Sequence, residues 1–222
     1  MLDFVRRPTR SAGNKYLMFL LHGYYSNGED IIGLADYFRE LSDDFCFIAP
    51  NAPQKIADDG YQWFPLDIGH MSQVELHRGA SASRKILHDF MEEQIEKLSV
   101  EYKNVFLLGF SQGAMMALHI GTRLEARIGG IVSFSGMQPD TTESMKYWSN
   151  VSQRVLLLHS RGDSVVPYHC LPASRDMLKN SKFSVVTHTC RNSVDHSIDY
   201  DCIEAAKNFV YEIIRGPEDS QN

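Results

Sequence analysis

The sequence lacks any long apolar stretch. Its longest clean run, Tyr16-Leu-Met-Phe-Leu-Leu21, falls far short of the ~18 residues a bilayer-spanning helix needs, so no integral membrane segment is expected. The first fifteen residues, MLDFVRRPTRSAGNK, hold arginines but no apolar core ahead of a small-residue cleavage site. No signal peptide is read there, and a cytoplasmic location is the expectation. Positive charge is also short: 22 Lys+Arg against 28 Asp+Glu leave a net charge of −6. That balance argues against nucleic acid, whose affinity comes mainly from cations neutralising phosphates. Cysteine is scarce, and Cys46, Cys170, Cys190 and Cys202 show neither CxxC spacing nor the density of a disulfide scaffold. They are expected to be buried free thiols acting as small hydrophobes. No Cys/His cluster has ligand spacing, so no metal is expected. Repeats, low-complexity segments and linkers are missing too.

What is present is ordinary globular composition, 43% hydrophobic, 23% charged and 11% aromatic, which excludes intrinsic disorder. A chain of 222 residues suits one α/β domain over 1–222, with 216–222 as a mobile tail after the stop signal Arg215-Gly216-Pro217. Strand-length apolar runs lie at Tyr16–Leu21, Phe45–Ala49, Val105–Phe110, Ile128–Phe134, Arg154–His159 and Phe183–His188. Most are continuously apolar, as strands buried on both faces are. Helix-period segments alternate with them at Glu29–Leu41, Val74–Leu98, Ser111–Leu124, Tyr168–Lys179 and Ile198–Ile214. The alternation predicts an α/β fold, a mostly parallel central sheet with helices on both faces. Pro50–Gln73 is a long connection with little periodicity, and Tyr61-Gln-Trp-Phe-Pro65 within it carries too much aromatic surface for disorder; it reads as a pocket wall.

The strongest local signal is Gly109-Phe110-Ser111-Gln112-Gly113. The pentapeptide alone is weak, but it lies between a buried-strand pattern and a helix start, the context a nucleophile elbow requires. Side chains at Gly109 or Gly113 would clash with neighbouring strand and helix. A serine hydroxyl needs a base to take its proton and a third group to orient that base. In the order Ser…acid…His, Asp163 lies in the loop after the strand ending at His159, where catalytic groups collect in parallel sheets. Asp140 and Asp176 are weaker candidates, one following Pro139 and the other mid-helix. Among nine histidines, only His196 has both the order and the position, in the loop before the final helix. The oxyanion of acyl transfer needs N–H donors. Gln112, the residue after the nucleophile, and Tyr24, in Leu21-His-Gly-Tyr24-Tyr25-Ser-Asn-Gly28, are the expected oxyanion hole.

Together these residues resemble the phospholipase/carboxylesterase family of small serine hydrolases, which includes the acyl-protein thioesterases. The resemblance runs from about Lys15 to Ile214. It rests on Leu21-His22-Gly23 with Gly28, Ala49-Pro-Asn-Ala-Pro53, Trp63-Phe64, Gly109–Gly113, Ser135-Gly136, Asp163-Ser-Val-Val-Pro167 and His196, in the family's order. It implies an α/β-hydrolase fold with no cofactor, and at 222 residues the sheet, helices and long loop are expected to leave no room for a separate cap domain. It also implies hydrolysis of carboxylic esters or thioesters through an acyl-serine, acyl-protein thioesterase or lysophospholipase activity being the alternative. The partner implied is a small-molecule or lipid-like acyl ester; a homodimer is left open. Tyr25, Trp63, Phe64, Met137 and Val166 are the expected substrate-pocket lining. Three departures stand out: Tyr25 and Asp195 where the family usually has Gly, and Ser160 replacing a Gly in the acid motif. Less favoured readings are a non-catalytic binding protein on the hydrolase fold, and a peptidase.

Overall fold

The apolar runs become strands whose alternate residues feed two separate cores. The computed structural model describes residues 2–67, 70–191 and 195–216. Its main sheet has seven strands in the order β1-β3-β2-β6-β7-β8-β9. These are β1 (Phe4–Arg7), β2 (Tyr16–Leu21), β3 (Phe45–Pro50), β6 (Val105–Phe110), β7 (Gly130–Phe134), β8 (Arg154–Ser160) and β9 (Ser184–Cys190). All neighbours pair in parallel except β1, which runs antiparallel to β3 with Phe4 opposite Pro50 and Arg7 opposite Phe47. Leu17, Phe19, Leu21, Leu107, Ile131 and Leu157 face one layer, and Met18, Leu20, Phe106, Leu108, Val132 and Leu158 the other. Side chains alternate across a strand, so burial on both faces requires apolar residues at every position. That is why these runs show no polar alternation.

The first layer is built by α3 (Gln73–Leu98), α4 (Gln112–Gly121) and α5 (Cys170–Asn180). The second is built by the short α1 (Gly28–Ile31) and α2 (Ala35–Arg39) with α6 (Tyr200–Arg215). In α3, Leu76, Ala80, Ser83, Leu87, Phe90 and Met91 form the expected buried stripe. The helix starts at a capping box: Ser72 Oγ accepts from Glu75 N, and Glu75 Oε2 accepts from Ser72 N at 2.7 Å. The helix expected over 29–41 is instead broken by a 3₁₀ turn at Ile32–Leu34. The β-branched pair Ile31-Ile32 followed by Gly33 is a poor helical run, and the tighter turn still buries Ile31, Ile32, Ala35 and Phe38.

Three further differences from expectation concern chain the pattern left unstructured or free. The edge strand β1 holds two arginines in four residues, a common way of blunting a sheet edge that also erases its apolar signal. The long connection after β3 contains a two-stranded hairpin, β4 (Gln54–Lys55) with β5 (Tyr61–Gln62). The expectation of four free thiols is corrected: Cys190, ending β9, and Cys202, in the first turn of α6, form a disulfide with Cα atoms 5.3 Å apart, while Cys46 and Cys170 are buried thiols. Of the tail expected over 216–222, only Gly216 lies within the described residues. Among the described residues, no helix is long and apolar enough to cross a membrane.

Candidate active site

The carboxyl ends of β6, β8 and β9 lead into Ser111, Asp163 and His196 respectively. Ser111 has φ 53° and ψ −118°, a left-handed backbone that non-glycine residues adopt only under constraint. Three contacts hold it there. Its N–H donates to Phe134 O on β7 at 2.9 Å, its carbonyl accepts from Met115 N at 3.0 Å, and the two elbow glycines permit close approach. A Cβ on Gly113 would strike the carbonyl oxygens of Leu21 and His22, and one on Gly109 would strike the Gly113 backbone. Helix α4 therefore sits directly against the end of β2, and Ser111 is presented at its start.

Asp163 is fully buried at its carboxyl group, and His196 is 14% exposed. His196 Nδ1 donates to Asp163 Oδ2 at 2.8 Å, while Val165 N and Val166 N donate to Oδ1 at 3.0 and 2.8 Å. Burial pushes the Asp163 carboxyl up, but the hydrogen bonds from His196 and Val166 outweigh it and hold the group below the usual carboxylate range. The Asp163 carboxyl is therefore ionised at neutral pH. The His196 ring packs on Phe110, centroids 4.8 Å apart, and Phe110 immediately precedes Ser111. A second tie joins the acid and base loops: Asp195 Oδ1 accepts from Ser164 N at 3.1 Å and from Ser164 Oγ at 2.6 Å. Asp195, a departure from the family pattern, thus links the residues adjoining Asp163 and His196.

The loop after β2 abuts Ser111, since a Cβ on Gly23 would lie 3.5 Å from Ser111 Cβ. Tyr24 follows in that loop, and Gln112 opens α4, where the first helical N–H groups have no helical acceptor. His22 anchors the loop from beneath. Its Nδ1 donates to Gly23 O at 2.7 Å and its Nε2 accepts from Ala52 N at 3.0 Å. Burial pushes its pKa down to about 4, so the ring is neutral. The Gln112 side chain then ties in the aromatic loop, with Oε1 accepting from Trp63 N at 2.9 Å and Nε2 donating to Phe64 O at 2.7 Å. Trp63 Nε1 donates back to His22 O at 2.9 Å.

Two cavities share lining residues, and the smaller meets Met115 on α4. The smaller, about 160 Å³, is lined by Met71, Leu76, Met115, Met137, Val166 and Cys170 among others. The larger, about 440 Å³, shares Gln73, Met137 and Cys170 with it and extends past Thr141 and Met177. Met137 lines both cavities and Val166 the smaller. Trp63 and Phe64 do not: both are 0% exposed and neither lines these cavities. Rings of that size release most free energy when removed from water, and here they join the first core layer, leaving the loop's backbone to grip the elbow. Tyr25 is also absent from the lining; it is 63% exposed, and its N–H donates to Tyr61 O at 2.9 Å. Its φ of 64° is the left-handed conformation that glycine adopts freely.

The comparisons with known proteins agree with this architecture. The family model described as Phospholipase/Carboxylesterase matches residues 5–214. The chain belongs to the phospholipase/carboxylesterase family. Among solved structures it is similar to esterase PE8, with 33% identity, a TM-score of 0.89, and coverage of 96% of this chain and 99% of that one. A Bacillus cereus carboxylesterase shares the α/β-hydrolase fold at 20% identity and TM-score 0.79, covering 96% and 95%. A curated relative, acyl-protein thioesterase 1 of Yarrowia lipolytica, is 26% identical over 95% of this chain and 97% of its own length.

Sequence reading missed two features of this family member. One is the contribution of Met115 and Cys170 to the cavity; Met115 follows Ser111 by one helical turn, a spacing that could have flagged it. The other is a buried cluster beside the larger cavity, where Asp140 accepts from His77 Nδ1 at 2.7 Å, His119 Nδ1 at 3.0 Å and Trp148 Nε1 at 2.8 Å. His77, His119 and Asp140 converge closely enough to suggest a cation site. Arg123, however, places guanidinium nitrogens 2.7 Å from both Asp140 oxygens. A fixed positive charge already occupies the position a metal ion would take, so the cluster is an ion-pair network.

Proposed function

We propose that the protein hydrolyses carboxylic esters or thioesters of short to medium acyl chains through an acyl-serine intermediate. The observation that carries this reading is the 2.8 Å Nδ1 hydrogen bond from His196 to the buried Asp163, at strand ends beside the constrained Ser111. With Nδ1 committed to Asp163, Nε2 is the nitrogen left to act as base. In the proposed reaction Ser111 Oγ attacks the acyl carbonyl carbon as His196 takes the hydroxyl proton. The N–H groups of Tyr24 and Gln112 receive the developing oxyanion. Collapse breaks the bond to the leaving alcohol or thiol, which His196 protonates; water then attacks the acyl-enzyme by the same route and releases the acid. The 160 Å³ cavity has room for about five water-sized groups at ~30 Å³ each, which favours short acyl chains. The 440 Å³ cavity that shares Gln73, Met137 and Cys170 with it supports a second reading in which longer acyl thioesters are accepted.

Turnover of p-nitrophenyl acetate, butyrate, octanoate and palmitate tests both readings. Butyrate or octanoate is expected to give the highest kcat/KM, and Ser111→Ala is expected to abolish turnover while circular dichroism is unchanged. Undiminished hydrolysis by Ser111→Ala would refute the mechanism. A monotonic rise to palmitate would favour the long-chain reading.

A further inference from the structure

We infer that His159 is a positioning residue that holds the Asp163 carboxylate in the rotamer receiving His196, an inference that rests on the proposed roles of Ser111, Asp163 and His196. His159 is the penultimate residue of β8 and is 1% exposed. Its Nε2 lies 2.8 Å from Val166 O. A carbonyl can only accept, so Nε2 carries the ring proton and the tautomer is fixed. The same nitrogen is 3.3 Å from Asp163 Oδ2, the oxygen that accepts from His196. Val166 in turn donates its N–H to Asp163 Oδ1 at 2.8 Å. One imidazole therefore braces the acid twice: it closes the 163–166 turn through Val166, and it holds a protonated ring nitrogen 3.3 Å from the oxygen that His196 meets.

The surroundings keep that ring neutral. Burial pushes the His159 pKa down, and His196 and His169 act in the same direction, together outweighing the Val166 hydrogen bond and the pull of Asp163. The Tyr168 ring lies edge-on with its centroid 6.0 Å away, and Arg161 rests on the outer face of Tyr168, 4.7 Å from that ring's centroid. Cys170, with its thiol pushed up by burial and by Asp163, and Asp195, bonded to Ser164, also lie near the acid. An apolar side chain at position 159 would orphan a buried carbonyl and leave Oδ2 with His196 as its partner there. The carboxylate would become more basic, and the imidazolium formed on His196 would hold its proton more tightly.

The test uses three substitutions in the full chain with p-nitrophenyl butyrate. His159→Phe keeps the shape without the donor, His159→Gln carries an N–H to the position of Nε2, and His159→Asn falls short of it. Phe and Asn are expected to lower kcat roughly 10- to 100-fold with KM nearly unchanged, as a small misplacement of a catalytic group does. Both should move the acid limb of kcat/KM to higher pH. Gln should return kcat to within about threefold of wild type and restore the limb. An unmoved acid limb in the Phe variant, or a kcat loss matched by the unfolded fraction, overturns the inference. Should the Phe variant not fold, the Asn–Gln pair decides, and equal kcat in those two overturns it. Fluorophosphonate labelling of wild-type Ser111 separates the two levels of failure. An unlabelled wild type refutes the hydrolase reading, whereas a labelled wild type with unmoved variants refutes the positioning role alone.

Discussion

Replacing Asp140 by Asn should be among the most damaging single-atom changes outside the catalytic loops. The carboxyl is fully buried, and the Arg123 side chain that grips it in a bidentate pair is 8% exposed. His77, His119, Trp148 and Ser144 also donate to it, so six donor contacts converge on two oxygens. Asn turns one acceptor into a donor, which must then face either the His77–His119 side or the Trp148 side, and it leaves the guanidinium without its counter-charge. Removing one partner of a buried ion pair costs about 3–5 kcal/mol. For a protein of this size that corresponds to a fall in Tm of about 6–20 °C, at 2–4 °C per kcal/mol. Calorimetry or urea unfolding at pH 7 measures it directly. The sign with pH also follows. Burial pushes Asp140 up, but the His119 and Arg123 hydrogen bonds outweigh that and depress it. A depressed carboxyl contributes stability that is present above its unfolded value of about 3.9 and lost as pH falls through the folded value. The deficit of Asp140→Asn should therefore persist from pH 7 to about 5 and shrink below about 4. A loss under about 1 kcal/mol at pH 7 would show that the network does not carry the load assigned to it.

Two other outcomes are expected. Gly113→Ala places a methyl against the Leu21 and His22 carbonyls, which must push α4 off β2; a loss of about 1–3 kcal/mol and of ester turnover is expected, and a fully active, equally stable variant would contradict the elbow geometry. Reducing the Cys190–Cys202 disulfide opens a 12-residue separation that encloses His196; loops of this size are worth about 3 kcal/mol. Dithiothreitol or Cys202→Ser should lower Tm measurably, and an unchanged Tm would show that the bond does not constrain the unfolded chain.

The sheet was legible because its central strands obey one rule at every position. Tyr16–Leu21 is buried throughout and Val105–Phe110 at every residue but its last, and nothing in their sequence competes with that reading. β1 was not legible, because its stability comes from pairing with β3 rather than from its own side chains, two of which are charged. The hairpin of β4 and β5 is set by contacts far away in sequence, such as Tyr61 N donating to Ser26 O at 2.9 Å. A break at Ile32–Leu34 was hidden for the opposite reason. The 3.6-residue stripe survives the 3₁₀ turn, so the pattern of buried residues looks the same with or without it.

At the site, chain order and strand ends restrict where the proposed nucleophile, acid and base, Ser111, Asp163 and His196, can stand. What stayed hidden was everything that depends on which way a side chain turns. Trp63 and Phe64 sit beside the elbow as their motif suggests, yet their rings enter the core and only their backbone reaches Gln112. No one-dimensional pattern separates those outcomes, because both bury aromatic area. Position 159 is the sharper case. A histidine at a strand end has the same local signature whether it is a base, a ligand or a spacer. Here its role is decided by a carbonyl seven residues onward, because that carbonyl can only accept a proton bond. That single constraint fixes the tautomer, and the tautomer turns His159 from a rival of His196 into its support.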